Sequence, residues 1–178
     1  MPREGKPNFN KRKSFNTFWH SHYITFSTYH RRKYLLDDRI CEALANRINE
    51  ASKEHNFEVL AYVFMPDHVH MLIHPMNEVY EMAVILKAIK QGPSKTAKNR
   101  KWISTALWER GGGYDSNIFS PKEELLDCIL YILRNPGRKS FVEQSWDYRW
   151  SSADWYVNGV EGDIRCHFFL TLEHGKPL

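Results

Sequence analysis

Residues 58–74 read EVLAYVFMPDHVHMLIH. Two apolar runs, Glu58 to Met65 and His68 to His74, meet at Pro66-Asp67, a pair that punctuates strands with a tight turn. The stretch predicts a β-hairpin. Side chains at i and i+2 share one face of a strand. His68, His70 and His74 therefore point one way with Leu72 among them, while Val69, Met71 and Ile73 point the other. The second face is apolar enough to need a layer of helices over it, which leaves the histidines on the opposite side of the sheet.

The flanking segments fill in the plan. His22 to Thr28 (HYITFST) is β-branched and aromatic and reads as a strand. Asp37 to His55 spaces Ile40, Ala43, Leu44, Ile48 and Ala51 along one helix face, with Asp37 or Asp38 as cap. A second helix is expected from about Glu78, with Met82, Ile85, Leu86 and Ile89 on one face and Gly92-Pro93 ending or kinking it. The piece from Trp108 to Ile118 holds GGGYDSN, a turn flanked by short extended segments. Ser120-Pro121-Lys122-Glu123 has the signature of a helix start, with Ser at the N-cap, Pro at the first position and Glu at the third. That helix should carry Leu126, Ile129, Leu130 and Leu133 on one face and stop at Asn135, because a proline disfavours helix at the residue before it.

The order strand, helix, strand, strand, helix, extended piece, helix predicts an α+β class. The expected architecture is a ferredoxin-like βαββαβ antiparallel sheet with helices on one face, plus a C-terminal helix. Residues 1–16 are expected to be a flexible basic N-terminus, 17–156 the domain and 157–178 a tail. The aromatic segment from Phe141 onward must pack on something.

Composition sets the class. The chain has 178 residues, is 42% hydrophobic and 14% aromatic, and is long enough for one well-cored domain. No apolar run approaches a membrane span and no signal segment follows the basic start, so a soluble, cytoplasmic protein is expected. Cys41, Cys128 and Cys166 are scattered, as reduced thiols are. The net charge is only +4, but residues 1–33 hold eight Lys/Arg against one acid. Residues 87–101 hold six more and no acid. Such clusters suit a polyanion, since each neutralised phosphate releases counterions. A solvated basic face gives the same pattern. Arg31, Arg32, Lys87 and Lys90 are the candidate backbone contacts in these clusters.

Two imidazoles at this spacing can grip one divalent ion, or simply share one side of a strand. The chain carries a decoy, His20-Ser21-His22, with the same spacing. Farther on, in CILYILRNP (128–136), Tyr131 and Asn135 are i and i+4 and share a helix face. Tyr131 also fits an amphipathic aromatic at the rim of a core, and Asn135 fits a helix cap. The joint pattern raises a site: two histidines on one sheet face, and a phenol and a carboxamide on a helix that could cover it.

The strings YVFMPDHVHMLI, LWERGGGYDSNI, YILRNPGRKSFV and WDYRWSSADWY, in this order and spacing, resemble the REP-associated tyrosine transposases of the HUH class of single-strand DNA nucleases. The resemblance runs from about His22 to Tyr156. It implies that His68, His70 and Asn135 bind a divalent metal, Mg²⁺ or Mn²⁺, and that Tyr131 is the nucleophile. It also implies cleavage and rejoining of single-stranded or hairpin DNA through a 5′-phosphotyrosine link, with either a monomer or a homodimer as the acting unit. The family segment after the tyrosine is usually similar to YIHxNPVRAGLV. Here Leu133-Arg134 stands where His and a variable residue are common, and Gly137 stands for Val. Arg134 and Arg138 lie near enough in the chain to meet phosphates.

Rival readings keep the fold but drop the chemistry, as a non-catalytic DNA-binding regulator, or drop the tyrosine, as another metal-dependent phosphodiesterase. GGGYD lacks the GK[ST] of a phosphate-binding loop, and its Tyr114 is a second, lesser nucleophile candidate. Trp102 and Trp108 fit base stacking or core packing. Trp150-Ser151-Ser152 reads as a structural tail motif.

Overall fold

The hairpin forms where expected. In the computed structural model, which describes residues 20–111, 114–118 and 122–167, strands β2 (Phe57–Met65) and β3 (His68–Pro75) turn at Pro66-Asp67 and pair antiparallel, Met65 opposite His68. β1 (Ser21–Ser27) lies on the other side of β3 and β4 (Tyr114–Ile118) pairs with β1, giving a four-stranded antiparallel sheet in the order β2-β3-β1-β4. Tyr114–Ile118 thus supplies an edge strand. The expected basic start, residues 1–16, and the helix-start residues Ser120 and Pro121 lie outside the described residues.

Register sorts the side chains into two layers. His22, Ile24 and Phe26 of β1 lie opposite Ile73, Met71 and Val69 of β3. These face helices α1 (Asp38–His55) and α2 (Met82–Asn99) and bury a core with Ile40, Leu44, Ile48, Met82, Ile85 and Ile89. Tyr23, Thr25 and Ser27 lie opposite Leu72, His70 and His68 on the other face. There Leu72, Ala61, Val63 and Met65 pack against helix α3 (Lys122–Arg138) through Leu125, Ile129, Ile132 and Leu133. The alternation read from residues 68–74 holds along the whole strand.

α1 begins as expected, with Asp37 accepting from the Arg39 backbone N–H, and ends at left-handed Asn56. Three helix ends differ from expectation. α2 starts at Met82, because the loop before it turns Tyr80 inward to meet the buried His22, its hydroxyl 2.7 Å from Nε2. It then runs through Gly92 and Pro93 to Asn99. A proline removes one helical donor and crowds the turn before it. Here the Lys90 carbonyl in that turn accepts from Ser94 Oγ at 2.8 Å and from Trp108 Nε1 at 3.0 Å. Gly92 suits a close crossing, since a Cβ there would sit 2.9 Å from Cδ of Arg47 on α1.

α3 likewise passes Pro136 and ends at Arg138. Its last turn is closed by Lys139 N–H to Asn135 O (3.1 Å) and Phe141 N–H to Pro136 O (3.0 Å). The buried stripe is also rotated from the expected one: Leu125, Ile129, Ile132 and Leu133 are buried, while Leu130 is 41% exposed. Aliphatic residues occur on nearly every side of this helix, so two stripes overlap in the sequence and packing selects one.

The aromatic tail covers the outer edge of β2. Phe64 N–H donates to Trp150 O (2.8 Å), Ser152 N–H to Tyr62 O (3.0 Å) and His167 N–H to Val59 O (2.9 Å). Short helix α4 (Ala153–Asn158) brings the Tyr156 hydroxyl 2.6 Å from the Leu60 carbonyl. An open edge strand would otherwise present unpaired backbone groups to other chains. Trp150-Ser151-Ser152 is thus structural, with Ser151 bridging to Val63. Among the described residues no helix is long and apolar enough to cross a membrane.

Candidate metal and tyrosine centre

The hairpin turn places His68 and His70 at the start of β3 on the face that α3 covers. Their Nε2 atoms lie 3.0 Å apart, with the rings nearly perpendicular at 86°. Each Nδ1 is held by another group. Asp67 Oδ1 sits 2.6 Å from His68 Nδ1, so Nδ1 donates to the carboxylate and Nε2 turns to His70. The Tyr23 hydroxyl and Thr25 Oγ1 sit 2.7 and 2.8 Å from His70 Nδ1. Burial, ahead of the charges of His68 and Arg31, holds His70 down to about 4, so this ring is neutral at pH 7.

Two imidazoles with converging Nε2 atoms and oriented second nitrogens are what a divalent cation selects. At metal–nitrogen distances of about 2.1 Å, neighbouring ligand atoms stand about 3 Å apart, so the pair fits a shared ion. Among the described residues no group of three or more His, Cys, Asp or Glu is arranged to hold a metal. The candidate set is therefore two imidazoles with an amide oxygen.

α3 supplies the remaining groups. Tyr131 is 43% exposed at the rim of the buried stripe. Its ring meets His70 edge-on with centroids 5.7 Å apart and meets Tyr23 at 6.1 Å. The Arg138 guanidinium lies 5.5 Å from its centroid on the outer side. One turn on, buried Asn135 donates Nδ2–H to the Tyr131 carbonyl at 2.8 Å. Only the amide nitrogen can donate to a carbonyl, so this contact settles which way the carboxamide faces and leaves Oδ1 as its acceptor.

The other candidates separate by face. Arg31, in a left-handed conformation at φ 54°, reaches Asp67 Oδ2 at 3.6 Å and stands beside the histidines. Arg32 is exposed and turns to Tyr34 and Thr105. Arg134 is exposed on α3. Lys87 and Lys90 lie on α2, across the sheet from the histidine pair, with Lys90 over the Phe26 ring at 5.5 Å. Trp108 is buried against Phe26 and Trp102 is half-buried beneath Arg39, so both serve packing. The side chain of Tyr114 lies outside the described residues.

The decoy pair is separated from this site as well. His22 points to the helix side and is fully buried between Asp115 Oδ1 at 2.9 Å and the Tyr80 hydroxyl. His74 shares the face of His70 but is bound by Ser21 Oγ at 3.1 Å. Tyr23, Thr25 and Asp67 were not foreseen as site residues. Asp67 adjoins His68 in sequence, so its role was open to reading; Tyr23 and Thr25 depend on the β1–β3 register, which no single segment reveals.

The family described as "Transposase IS200 like" matches residues 17–120, a span that includes both histidines and ends before Tyr131. A Haemophilus influenzae protein assigned as a REP-associated tyrosine transposase is 25% identical over 159 residues, 80% of this chain and 85% of that protein. A solved REP-associated tyrosine transposase bound to a REP hairpin superposes with a TM-score of 0.69 at 17% identity, over 95% of this chain and 98% of the other.

Proposed function

The chain belongs to the IS200-like transposase family, and from that premise we propose that it is a metal-dependent single-strand DNA endonuclease and strand transferase. Its substrate class is hairpin DNA, supported by the solved relative that carries such a hairpin. The observation that carries the chemistry is the Nε2 pair of His68 and His70, 3.0 Å apart, with Tyr131 against the same His70 ring.

In this reading His68 and His70 through Nε2, and Asn135 through Oδ1, hold Mg²⁺ or Mn²⁺. A divalent ion so placed polarises and orients the scissile phosphate. The Tyr131 oxygen attacks phosphorus, and the phosphorus–O3′ bond breaks. The phosphoryl group stays on Tyr131 as a 5′-phosphotyrosine ester, the phenol proton passes to water, and the departing 3′ oxygen takes up a proton to become a 3′-OH. One phosphate ester replaces another, so a second 3′-OH can reverse the step and join strands. A free phenol has a pKa of about 10, so the proton needs an acceptor and the oxygen a donor around it. In this reading Arg31, beside Asp67, and Arg138, over the Tyr131 ring, supply positive charge to phosphate oxygens.

The test is incubation with single-stranded hairpin DNA and Mn²⁺, followed by denaturing electrophoresis. Wild type is expected to give a denaturant-stable adduct, Tyr131→Phe none, and His68→Ala or His70→Ala no cleavage with most DNA binding kept. An adduct from Tyr131→Phe removes the nucleophile assignment. Tight hairpin binding without cleavage in any metal favours a regulator that only binds.

A further inference from the structure

We propose that Glu109 is a positioning residue of the cleavage reaction, its carboxylate holding the His30–Arg31 turn in a left-handed form that delivers the Arg31 guanidinium to the mouth of the histidine pair. The proposal rests on the reading of Tyr131 and Arg31 above. Glu109 belongs to the LWERGGGYDSNI string and lies before β4, on a segment that the metal and tyrosine centre does not use.

The backbone carries the first observation. His30 and Arg31, at φ 52° and 54°, are two successive left-handed residues, neither of them glycine. Histidine visits this region more readily than most side chains and arginine seldom does. Such conformations persist where the surrounding contacts fix them. Here every backbone N–H from Thr28 to Arg32 has a partner. Thr28 N–H donates to Asp67 O (3.0 Å), Tyr29 N–H to Leu107 O (2.9 Å), Arg31 N–H to Thr28 O (3.1 Å) and Arg32 N–H to Tyr29 O (3.2 Å). Within this turn the His30 N–H alone goes to a side chain, Glu109 Oε2 at 2.9 Å. A backbone acceptor survives a change of side chain and a carboxylate does not, so this bond is the one point at which a substitution unlocks the turn.

Glu109 is itself firmly seated. Its N–H donates to Ser27 O at 2.9 Å, Thr28 bridges to Trp108, and the two residues before it, Leu107 and Trp108, are buried. Oε1 accepts from Arg110 N–H at 3.3 Å, while Oε2 takes His30. The consequence falls on the next side chain. Arg31 reaches Asp67 Oδ2 at 3.6 Å, and the other oxygen of that carboxylate holds His68 Nδ1 at 2.6 Å. With 60% of its side chain exposed, the guanidinium is open to an incoming phosphate while it stays beside His68. Arg32 turns instead to Tyr34 and Thr105, so the turn commits one arginine of the pair to the site. A free loop would lose backbone freedom when Arg31 meets phosphate; a held one has lost it beforehand.

The experiment measures the single-turnover adduct rate with hairpin DNA at saturating Mn²⁺ for Arg31→Ala, Glu109→Ala, the double variant and Glu109→Gln. Mn²⁺ affinity is read by the electron paramagnetic resonance signal of free Mn²⁺, and folding by the urea midpoint. Arg31→Ala and Glu109→Ala are each expected to slow the adduct about 10–100-fold, the scale of a misplaced positioning group. The double variant should be no slower than Arg31→Ala alone, since both changes remove the same guanidinium contact. Glu109→Gln keeps an acceptor for the His30 N–H and should recover most of the wild-type rate. Mn²⁺ affinity and urea midpoint should stay at the wild-type values in Glu109→Ala. Losses that multiply in the double variant, a Glu109→Gln rate as low as that of Glu109→Ala, or an unchanged rate in either alanine variant overturns the proposal while leaving the nucleophile in place. So does a Glu109→Ala loss matched by lost Mn²⁺ binding or a collapsed urea midpoint, which is a structural effect. A wild type that forms no adduct overturns the reading beneath it and this proposal together.

Discussion

Asp67 Oδ1 lies 2.6 Å from His68 Nδ1, so the residue that turns the hairpin also orients the first histidine after it. Fold and site share one side chain here. The turn fixes which face β3 shows, and the carboxylate fixes which nitrogen of His68 is free.

That double use predicts a separable loss. Asp67→Ala removes the partner of His68 Nδ1 but leaves the Asp67 carbonyl, which accepts from Thr28 N–H at 3.0 Å, available to hold the hairpin. Mn²⁺ affinity is expected to fall about 10–100-fold, with urea stability changed by about 1 kcal/mol or less. Asp67→Asn, which retains an acceptor, should fall between. Unchanged Mn²⁺ binding in Asp67→Ala would show that the carboxylate does not orient the ring.

Acid should loosen the protein through His70. Its pKa sits at about 4, held down chiefly by burial, against an ordinary value of 6.5. Between those values the unfolded chain takes a proton that the folded chain refuses, so stability is full above pH 6.5 and falls as pH drops toward 4. His74, also lowered by burial, adds in the same direction. The His70 share reaches on the order of 3 kcal/mol. Urea midpoints measured from pH 7 to pH 4.5 should fall in wild type and fall less steeply in His70→Gln. Parallel slopes for the two proteins contradict this account.

Much of the architecture was legible because its signals are local. Alternation in residues 68–74 fixed the faces of β3, and 3.6-residue spacing placed Ile40 to Ala51 and Met82 to Ile89 on buried stripes. The helix ends were not legible, since α2 runs on through Pro93 and α3 through Pro136, and the bonds beside those prolines come from distant or later residues such as Trp108 and Phe141. Within the site, His68, His70, Tyr131 and Asn135 stood out as polar groups in apolar runs. Their supports did not: Tyr23 and Thr25 are ordinary residues of a β-branched and aromatic strand until β1 is aligned on β3. The HSH decoy shows the same limit, because only the pairing of β1 with β4 delivers Asp115 to His22.

That second, buried histidine carries a stability prediction of its own. His22 and Asp115 are both fully buried at the side chain and 2.9 Å apart. Removing one partner leaves the other buried without its mate, which costs more than removing both. Asp115→Ala is expected to cost about 3 kcal/mol, and adding His22→Phe should cost clearly less than the sum of the single changes. A double-mutant cycle by urea denaturation reads this directly. Additive losses would mean that the pair is not coupled.

The rotated stripe of α3 separates two neighbouring aliphatic residues. Ile132 is fully buried in the cluster that holds Leu72 and Val63, while Leu130 is 41% exposed. Ile132→Ala should therefore cost about 2–4 kcal/mol through lost burial and a cavity, and Leu130→Ala about 0.5 kcal/mol or less. Since Ile132 seats the helix beside Tyr131, its variant should also slow adduct formation at temperatures where it remains folded. The stripe read from spacing alone, through Leu126 and Leu130, predicts the reverse order. Chemical denaturation of the two variants decides between the two faces, and with them whether α3 presents Tyr131 at its rim, beside His70.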